Sequence, residues 1–319
     1  MAPTPELLVL DATRTRASLA FDRLIPALRE AFIVGATVPL RHRHDLSQPD
    51  GTTAALLLMP GWRAGGLLGV KLVSVFPGNG ARNLPAVSSN YLLCDGETGR
   101  HLALIDGTEI TGRRTAAASA LAGSFLARSD ASTLLVVGSG HIGSLMPAAW
   151  ASVRPIARIL LWNHRPAGAE QLAARLRAGG LAATATADLE SAARDADIIS
   201  CATLSRAPLI RGAWLRPGTH LDLIGGFTPA MRETDDDAVR RARVFIDTEA
   251  ALAEAGDLLD PLANGALRRE DIAGDLAGLC RAQAQGRRSA EEVTLFKSVG
   301  SGLEDLAAAS LAYQDSRHA

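Results

Sequence analysis

Residues 133–143, TLLVVGSGHIG, decide the fold of the second half of the chain. The first five are the short apolar run of a buried strand, and Gly138, Gly140 and Gly143 then follow with GxGxxG spacing. Chance could produce this spacing in a chain with 30 glycines, but here it directly follows a strand and opens a helix. The stretch therefore predicts a dinucleotide-binding turn. Its glycines allow a tight turn, close approach of the backbone to a pyrophosphate, and close packing of helix on strand.

Strands and helices are predicted to alternate from about Ser119 onward. A helix is predicted at residues 167–177, and the strand-like runs are RILLWN, ADIISCAT, THLDLIGG and RVFIDT. Short apolar runs of this kind are typical of parallel strands that are covered on both faces. We therefore predict an α/β fold with a Rossmann-type doubly wound parallel sheet over residues 119–302.

Residues 1–118 are predicted to form a separate α+β domain. After a helix near residues 20–31, its strand-like runs are AFIVGATVPL, TTAALLLMP, GVKLVSVF, SSNYLLCD and RHLALIDG. The turn sequence DGETG between the last two predicts a hairpin. Later in the chain, Ser289 and Glu292 have capping-box spacing and predict a helix through VTLFKSVGSG. A last helix at 303–319 could return to the first domain.

The end of the second Rossmann strand bears on the choice of cofactor. Proteins that bind NAD usually have Asp or Glu there, to accept a hydrogen bond from the ribose 2′-hydroxyl. This chain has Trp162, Asn163, His164 and Arg165 instead. Arg165, helped by His164, could bind a 2′-phosphate. NADPH is therefore favoured, with NADH as the alternative.

Composition excludes several classes of protein. The net charge of −1 provides no basic surface for nucleic acid or an acidic membrane, and no apolar run could span a bilayer. The N-terminal sequence MAPTPELLVLD lacks the regions of a signal peptide. For His42, His44 and His141, no acid or cysteine lies at ligand spacing on a shared face, so no metal site is expected. Three widely spaced cysteines indicate reduced thiols in a cytoplasmic protein: Cys94, Cys201 and Cys280.

Lys71 lies in the middle of an apolar run, residues 67–79, LLGVKLVSVFPGN. Only Lys71 and Lys297 are lysines among the 33 basic residues, so arginine serves wherever a surface cation is needed. A buried lysine is costly, and unlike arginine it can lose its proton. This indicates a chemical role for Lys71, and the alternative is an ion pair with a buried carboxylate.

Seven stretches carry a family likeness, in order along the chain: Met59-Pro60, GVKLVSVFPGN, Arg113-Arg114-Thr-Ala-Ala, GSGHIG, RGAWLRPGTHLDLIGGFTPAMRE, ALAEAGDL and LFKSVGSGLED. They resemble the ornithine cyclodeaminase/mu-crystallin family over about residues 35–310. The resemblance implies an N-terminal domain for substrate binding and dimerisation, a Rossmann domain and a homodimer. Family activities share a C=N bond next to a carboxylate. They include ornithine cyclodeaminases, alanine dehydrogenases and ketimine reductases, and mu-crystallin also binds thyroid hormone.

The resemblance implies roles for individual residues. Lys71 matches the catalytic lysine, and Arg41 and Arg114 match the residues that hold the substrate carboxylate, with Arg43 as an alternative to Arg41. A guanidinium suits this role because it can grip a carboxylate through two hydrogen bonds. The other expected substrate contacts are Met59, Phe227, Thr228 and Val299. The expected cofactor contacts are Gly138, Gly140, His141, Ile142, Gly143, Asn163, His164, Arg165, Thr203 and Ser298.

Two positions depart from the cyclodeaminase pattern. Phe227 replaces an aspartate after Gly-Gly, and Leu57 replaces a glutamate two residues before Met-Pro. The expected set is then two arginines, one lysine and an apolar wall, with no evident base to deprotonate an amine. The GGFTP version resembles bacterial reductases of Δ1-pyrroline-2-carboxylate and Δ1-piperideine-2-carboxylate. The alternative is drift at Phe227 in a pocket that still deaminates.

The resemblance thus implies NADPH-dependent reduction of a cyclic imine acid at C2, which yields L-proline or L-pipecolate. Lys71 would donate a proton to the ring nitrogen, and a lysine near two arginines is expected to have a lowered pKa. One alternative is an ornithine cyclodeaminase or alanine dehydrogenase of the same family. The other is a non-catalytic, NADPH-dependent binder of small ligands, like mu-crystallin.

Overall fold

The computed structural model describes residues 7–49, 51–82 and 84–318. The chain divides into two compact units, one made of Met1–Arg114 and Ser301–Ala319 and the other of Thr115–Gly300. Residues 1–6, which form part of the N-terminal sequence without signal-peptide features, lie outside the described residues. No helix in the described ranges is long and apolar enough to cross a membrane.

The first unit is built on a six-stranded sheet. Its elements are β1 (Leu8–Leu10), α1 (Ala12–Ser18), α2 (Phe21–Val34), β2 (His42–Ser47), β3 (Thr53–Trp62), β4 (Leu67–Val75), β5 (Val87–Asp95), β6 (His101–Asp106) and the start of α3 (Gly107–Leu126). The strand order is β1-β6-β5-β4-β3-β2, and every pair except the parallel β1–β6 pair is antiparallel. The predicted hairpin at DGETG joins β5 to β6.

The second unit contains an eight-stranded sheet in which every pair of neighbouring strands is parallel. After the rest of α3, its elements are β7 (Thr133–Val137), α4 (His141–Ala151), β8 (Arg158–Trp162), α5 (Pro166–Ala178), β9 (Ala183–Ala185), α6 (Leu189–Asp195), β10 (Ile198–Cys201), β11 (His220–Leu223), α7 (Asp236–Arg241), β12 (Arg243–Ile246), α8 (Ala251–Glu254), α9 (Gly256–Asn264), β13 (Ile272–Asp275), α10 (Leu276–Cys280) and β14 (Thr294–Lys297). The chain then returns to the first unit as α11 (Gly302–His318).

The order of this sheet, β13-β12-β14-β11-β10-β7-β8-β9, confirms the predicted doubly wound fold. The chain runs outward from β7 through β8 to β9 and then returns to β10 on the other side of β7. The carboxyl ends of β7 and β10 therefore meet at a topological switch point, where open α/β sheets bind ligands. All residues of the central strands β10, β11 and β14 are buried, as in parallel sheets that are covered on both faces, and these residues include the polar His220, Asp222 and Lys297.

The predicted strand AFIVGATVPL, residues 31–40, is wrong over its first part. Helix α2 continues through these residues to Val34 and ends at Gly35, which has a φ of +84°. Leu28 and Phe32 are buried at helical spacing, so the apolar run completes the inner stripe of a helix. The positive φ of Gly35 then ends the helix at a residue without a side chain.

The predicted helix through VTLFKSVGSG is also wrong, because residues 294–297 form strand β14 between β11 and β12. The amide of Glu292 does donate to the Ser289 hydroxyl, at 3.2 Å. This local cap produces only a turn, because the buried run that follows pairs with strands on both sides. Tertiary pairing here overrides a short-range helix signal.

Candidate active site

Lys71 lies on the covered face of β4. In the strand register it is opposite Met59 of β3 and Tyr91 of β5, so these three side chains share one face. Helix α11 packs against β3, β4 and β5, and Lys71 is only 3% exposed. On the opposite face, the next residue, Leu72, is 42% exposed. The strand therefore turns its charged residue inward and an apolar residue outward, the reverse of ordinary amphipathic patterning.

Gly69 makes room for the aromatic neighbour of this lysine. A Cβ atom at Gly69 would lie 2.3 Å from Cε1 and 2.4 Å from the hydroxyl of Tyr91. Burial raises the pKa of the Tyr91 phenol well above its ordinary value, so the hydroxyl stays protonated beside the lysine. The GVK sequence thus combines a glycine that packs against Tyr91 with a buried lysine.

Two carboxylates from the first turn of α11 hold Lys71 and Arg114. The Nζ atom of Lys71 lies 2.7 Å from Oδ2 of Asp305 and 3.4 Å from the hydroxyl of Thr111. Arg114 donates from Nε to Oδ1 of Asp305 at 3.0 Å and from Nη1 to Oε2 of Glu304 at 2.7 Å. The expected set of two arginines, one lysine and an apolar wall is therefore incomplete, because it lacks this pair of acids.

The two positive charges of Lys71 and Arg114 lie against the two negative charges of Glu304 and Asp305, and these contacts shift the pKa values of the lysine and the aspartate. Burial lowers the pKa of Lys71; Asp305 opposes this effect and Arg114 adds to it. Burial by itself would raise the pKa of Asp305, but Lys71 and Arg114 bring it below its ordinary value. The lowered pKa of Lys71 agrees with the expectation, although burial rather than the arginines is its main cause. The site thus pairs a lysine of lowered pKa with a carboxylate of lowered pKa.

Arg41 is exposed and directly precedes the edge strand β2. His42, the first residue of β2, pairs with Leu58, which brings Arg41 to the level of Met59 and Lys71 along the sheet. Leu57 is half-buried on β3 and faces the same side as Met59. A carboxylate at position 57 would lie on the face that carries Lys71, and this chain has leucine there.

The other predicted residues lie in the second unit. The glycine turn there has the shape that a pyrophosphate requires. Gly138 has a φ of +106°, and a Cβ atom on it would lie 2.5 Å from the carbonyl oxygen of Ala202. A Cβ on Gly143 would lie 2.0 Å from the carbonyl oxygen of Gly138, so this glycine lets α4 pack on the turn. Gly140 is the N-cap of α4, and nothing lies within 4 Å of a Cβ placed there. The open space before the helix N-terminus fits a phosphate group.

His141 and Ile142 begin α4, and three further predicted residues lie at the end of β8. The side-chain amide of Asn163 donates from Nδ2 to the carbonyl oxygen of Arg165 at 3.0 Å, and Nε of Arg165 donates to Nε2 of His164 at 3.2 Å. His164 and Arg165 are both exposed. Since Arg165 is the N-cap of α5, a cation faces solvent where NAD-binding folds usually place an acid.

Thr203 follows β10 and borders the glycine turn. Its Cγ2 atom would lie 3.1 Å from a Cβ on Gly138. The amide and the hydroxyl of Thr203 both donate to Oε1 of Glu233 at 2.7 Å. Glu233 was not among the predicted site residues, although it ends the quoted stretch RGAWLRPGTHLDLIGGFTPAMRE.

The remaining predicted residues lie on loops that leave the carboxyl edges of β11 and β14. Phe227 is 44% exposed, and Thr228 is half-buried. Ser298 is buried and donates its amide to the carbonyl oxygen of Leu223 at 3.1 Å. The backbone amide of Val299 donates to Oδ2 of Asp247 at 2.8 Å. Asp247, which follows strand β12, therefore accepts a hydrogen bond from the backbone of the loop after β14.

Asp305 and Glu304 are the principal residues that the sequence analysis missed. Both are 0% exposed, yet in the sequence they are ordinary acids in the first turn of a helix. One signal could have found them. A buried lysine and a buried arginine require counter-charges, and LFKSVGSGLED supplies two consecutive acids.

Comparison with known proteins gives a consistent set of relatives. The family model described as "Ornithine cyclodeaminase/mu-crystallin family" matches residues 6–319. A Δ1-pyrroline-2-carboxylate reductase of Paracoccus denitrificans is 41% identical over 296 residues, which cover 92% of each chain. The structure of the Thermococcus litoralis Δ1-pyrroline-2-carboxylate reductase with NADH and L-proline is 32% identical, with a TM-score of 0.90 and 98% of each chain covered. An archaeal alanine dehydrogenase dimer with bound NAD is 27% identical, with a TM-score of 0.90 and 98% and 96% of the two chains covered.

Proposed function

The chain belongs to the ornithine cyclodeaminase/mu-crystallin family, and we propose that it is an NAD(P)H-dependent reductase of cyclic ketimine acids. The proposed reactions convert Δ1-pyrroline-2-carboxylate to L-proline and Δ1-piperideine-2-carboxylate to L-pipecolate. The observation that carries the proposal is the buried Lys71 ammonium, which Asp305 holds next to Arg114. Relatives named for the pyrroline-2-carboxylate reaction, matched over nearly the whole chain, support it.

The residues of the first unit supply carboxylate binding and a proton. Arg114, fixed by two acids, and Arg41 at the sheet edge bind the substrate carboxylate as a guanidinium can, through paired hydrogen bonds. Lys71 donates its proton to the ring nitrogen, which makes C2 more electrophilic. When bound, the reduced nicotinamide supplies the hydride. One hydride to C2 and one proton to nitrogen convert the C=N bond to a secondary amine, and Asp305 orients the donor throughout.

The apolar residues Leu57 and Phe227 favour reduction over deamination. A deaminating enzyme must take a proton from a substrate amine, which calls for a base, and must then protonate the nitrogen that leaves as ammonia, which calls for an acid. On the face of β3 that carries Met59, position 57 offers a leucine. Asp305 is already committed to Lys71 and Arg114. An imine that arrives ready-made needs no further base. Phe227, Thr228 and Val299 remain predicted substrate contacts.

For the cofactor, we propose NADPH in preference to NADH. The solvent-facing Arg165, with His164 beside it, is suited to a 2′-phosphate, and no acid follows β8 to repel one. The fit of the glycine turn to a pyrophosphate is common to both cofactors. Gly138, Gly140, His141, Ile142, Gly143 and Asn163 are the residues that would hold the shared part.

We also propose a homodimer that forms through the uncovered face of the six-stranded sheet. Val9, Leu46 and Leu72 point to this face and are 55%, 38% and 42% exposed. The three residues lie on separate strands of this face, and their exposure there supports an interaction surface. Light scattering on the eluting protein should give about twice the chain mass of 33.3 kDa. Leu72→Glu should give the monomer mass, and the matched control Leu204→Glu, at a 70% exposed site of the second unit, should not.

The function is tested by following oxidation of NADPH and of NADH with each of the two cyclic imine acids. We expect turnover with at least one of them, and a higher kcat/KM with NADPH. No turnover with either imine would overturn the proposal. Turnover of ornithine with ammonia release, or of alanine with NAD⁺, would assign the chain to a deaminating branch. Tight ligand binding without turnover of any of these would favour the non-catalytic binder.

A further inference from the structure

Glu233 is a fully buried carboxylate that gathers four hydrogen bonds at the carboxyl edge of the parallel sheet. Its Oε1 atom accepts from the amide and the hydroxyl of Thr203, both at 2.7 Å. Its Oε2 atom accepts from the amide of Gly225 at 2.7 Å and from that of Gly226 at 3.3 Å. An ionised carboxylate accepts at both oxygens and donates at neither, so it suits this set of four donors.

The four donors belong to two different loops. Thr203 follows β10, and Gly225 and Gly226 follow the neighbouring strand β11. Glu233 thus ties two loops together across adjacent strands, beside the switch point. The tie also reaches the glycine turn, because Ala202 and Thr203 are the neighbours that a Cβ on Gly138 would meet.

A second buried ion pair, between Lys297 and Asp257, holds the backbone of Glu233 through a hydrogen bond. The Nζ atom of Lys297 lies 3.0 Å from Oδ2 of Asp257, and both residues are 0% exposed. Oδ1 of Asp257 accepts from the backbone amide of Glu233 at 2.7 Å. A Cβ on Gly226 would lie 2.5 Å from Oδ2 of Asp257, so the loop rests directly on the pair. The second lysine of the chain therefore offsets the charge of two buried acids, which would otherwise be costly.

The strand order shows which part of the cofactor these loops serve. The pyrophosphate belongs at the glycine turn after β7, and the adenine-side ribose at the end of β8, where Arg165 lies. Since β10 and β11 lie on the other side of β7, the rest of the dinucleotide must extend over their loops. The loops that Glu233 joins therefore border the nicotinamide end.

We propose that Glu233 is a positioning residue for the nicotinamide half of the cofactor. Its carboxylate sets the spacing between the loop after β10 and the loop after β11. The Lys297–Asp257 pair fixes the position of Glu233 itself, through the hydrogen bond to its backbone amide. The adenine half, held on β7 and β8, does not depend on it. This rests on the dinucleotide binding of the proposed function and on no choice of substrate.

Glu233→Gln tests the proposal. The glutamine side chain keeps the shape of the glutamate, but its NH2 group would face the N–H and O–H donors of Thr203 or the N–H donors of Gly225 and Gly226. The measurements are the Kd of NADPH, of NADH and of ADP-ribose, which lacks nicotinamide, together with the thermal midpoint of the ligand-free protein. We expect the Kd of both full cofactors to rise by about ten-fold or more, the order of one lost hydrogen bond to a charged group, with ADP-ribose binding nearly unchanged. Equal weakening of all three ligands, or no change in a folded variant, would overturn the proposal.

Asp197→Asn is the matched control. Asp197 is also a largely buried carboxylate of the second unit, and its Oδ2 accepts from the amides of Ser132 and Thr133, at the amino edge of the sheet. This variant should lower the thermal midpoint and leave every Kd unchanged. If Glu233→Gln does not fold, Thr203→Val removes one donor and keeps the carboxylate, and it should weaken NADPH and NADH more than ADP-ribose. If the wild type binds ADP-ribose but the Glu233 and Thr203 variants show no selective loss of NADPH and NADH, the positioning role of Glu233 is refuted and the dinucleotide site is not. Failure of the wild type to bind any of the three refutes the dinucleotide site as well.

Discussion

The Nζ atom of Lys71 lies 2.7 Å from Oδ2 of Asp305, and the two side chains are 3% and 0% exposed. The same carboxylate accepts a hydrogen bond from Arg114 through its other oxygen. A lysine in this setting cannot rotate freely to meet a substrate, since leaving Asp305 would leave an unpaired buried charge. The ion pair therefore fixes the direction from which Lys71 would give a proton in the proposed reaction.

Asp305→Asn should move the alkaline limb of the kcat/KM profile to lower pH. Lys71 must be protonated to act as the acid, so activity is lost as the pH rises through its pKa. Burial and Arg114 lower this pKa, whereas Asp305 and Glu304 raise it. Asn removes the larger of the two carboxylate effects, so the pKa of Lys71 falls further. Initial rates measured between about pH 6 and pH 10 will show the shift.

Glu109→Gln is the control for this experiment. Glu109 is a buried acid of the same unit that pairs with Arg16 and is not among the groups that shift the pKa of Lys71. Its variant should keep the wild-type pH profile. If Asp305→Asn also keeps that profile, or moves the limb to higher pH, Lys71 is not the group that titrates in catalysis.

Lys71→Met should abolish most turnover while the protein still binds cofactor. General acid catalysis contributes about 10²–10⁴-fold, so kcat should fall by that order. The cofactor residues lie in the other unit, so the Kd of NADPH should stay within about two-fold, a difference below 1 kcal/mol. Thr111→Val removes the hydroxyl that lies 3.4 Å from Nζ and should cost less than about ten-fold. Turnover by Lys71→Met close to that of wild type would show that the proton comes from elsewhere.

The parts of the fold that sequence predicts well are those in which local pattern and tertiary pairing agree. The stretch TLLVVGSGHIG forms its strand, turn and helix as expected, because glycine spacing and apolar run point to the same structure. Strand β14 was missed because a capping-box signal before it is local, whereas its two neighbours are distant in sequence. Strand β2 was missed because HRHDLS is polar and all six of its residues are exposed, as an edge strand allows.

The candidate site is also visible in the sequence only where a local pattern marks a residue. An unusual lysine in an apolar strand is visible in the sequence, and so are the arginines that a family pattern marks. The acid that pairs with Lys71 is invisible to local pattern, since the first turn of a helix favours acids for its own stability. The sequence leaves two interpretations of Lys71 open, a catalytic role and an ion pair with a buried carboxylate. The structure shows the pairing, and the pairing is compatible with a catalytic role.

Gly140→Ala should separate cofactor binding from folding. The φ of Gly140 is −71°, and a Cβ there meets no protein atom within 4 Å, so alanine should leave the thermal midpoint unchanged. The methyl group would occupy the space through which a pyrophosphate approaches the helix. We expect the Kd of NADH and of ADP-ribose to rise by about ten-fold or more. Gly179→Ala, at the end of α5 with no clash below 3.4 Å, is the control and should leave both Kd values unchanged. Unchanged affinity in Gly140→Ala would place the pyrophosphate elsewhere.

Arg165→Ala should weaken NADPH selectively. A hydrogen bond to a charged group contributes about 1.5–3 kcal/mol, so the KM for NADPH should rise by about ten-fold to a hundred-fold. The KM for NADH should change little, because NADH has no 2′-phosphate. Arg175→Ala, another exposed arginine on α5, should affect neither cofactor. Equal changes for NADPH and NADH would rule out Arg165 as the group that reads the 2′-phosphate.

A buried acid of the parallel sheet should make stability depend on pH. Asp222 lies on the central strand β11 and is 0% exposed, and burial raises its pKa from an ordinary 3.8 to about 7. The hydroxyl of Ser200 donates to its Oδ2 atom at 2.7 Å and limits the rise. Because the folded state binds this proton more tightly than the unfolded state, the stabilisation is complete below about pH 4. It is lost as the pH rises toward about 7.

Asp222→Asn removes this titration and keeps an acceptor for Ser200. Above pH 7 the wild-type carboxylate is charged inside the sheet, at a cost on the order of 4 kcal/mol for a pKa raised from 3.8 to about 7. The variant should therefore unfold at a higher temperature than wild type at about pH 8, and this advantage should shrink as the pH falls and vanish below about pH 4. Asp195→Asn, at an exposed acid of α6, should follow wild type throughout. Parallel thermal midpoints for Asp222→Asn and wild type across this range would mean that Asp222 carries the same charge in the folded and unfolded chain.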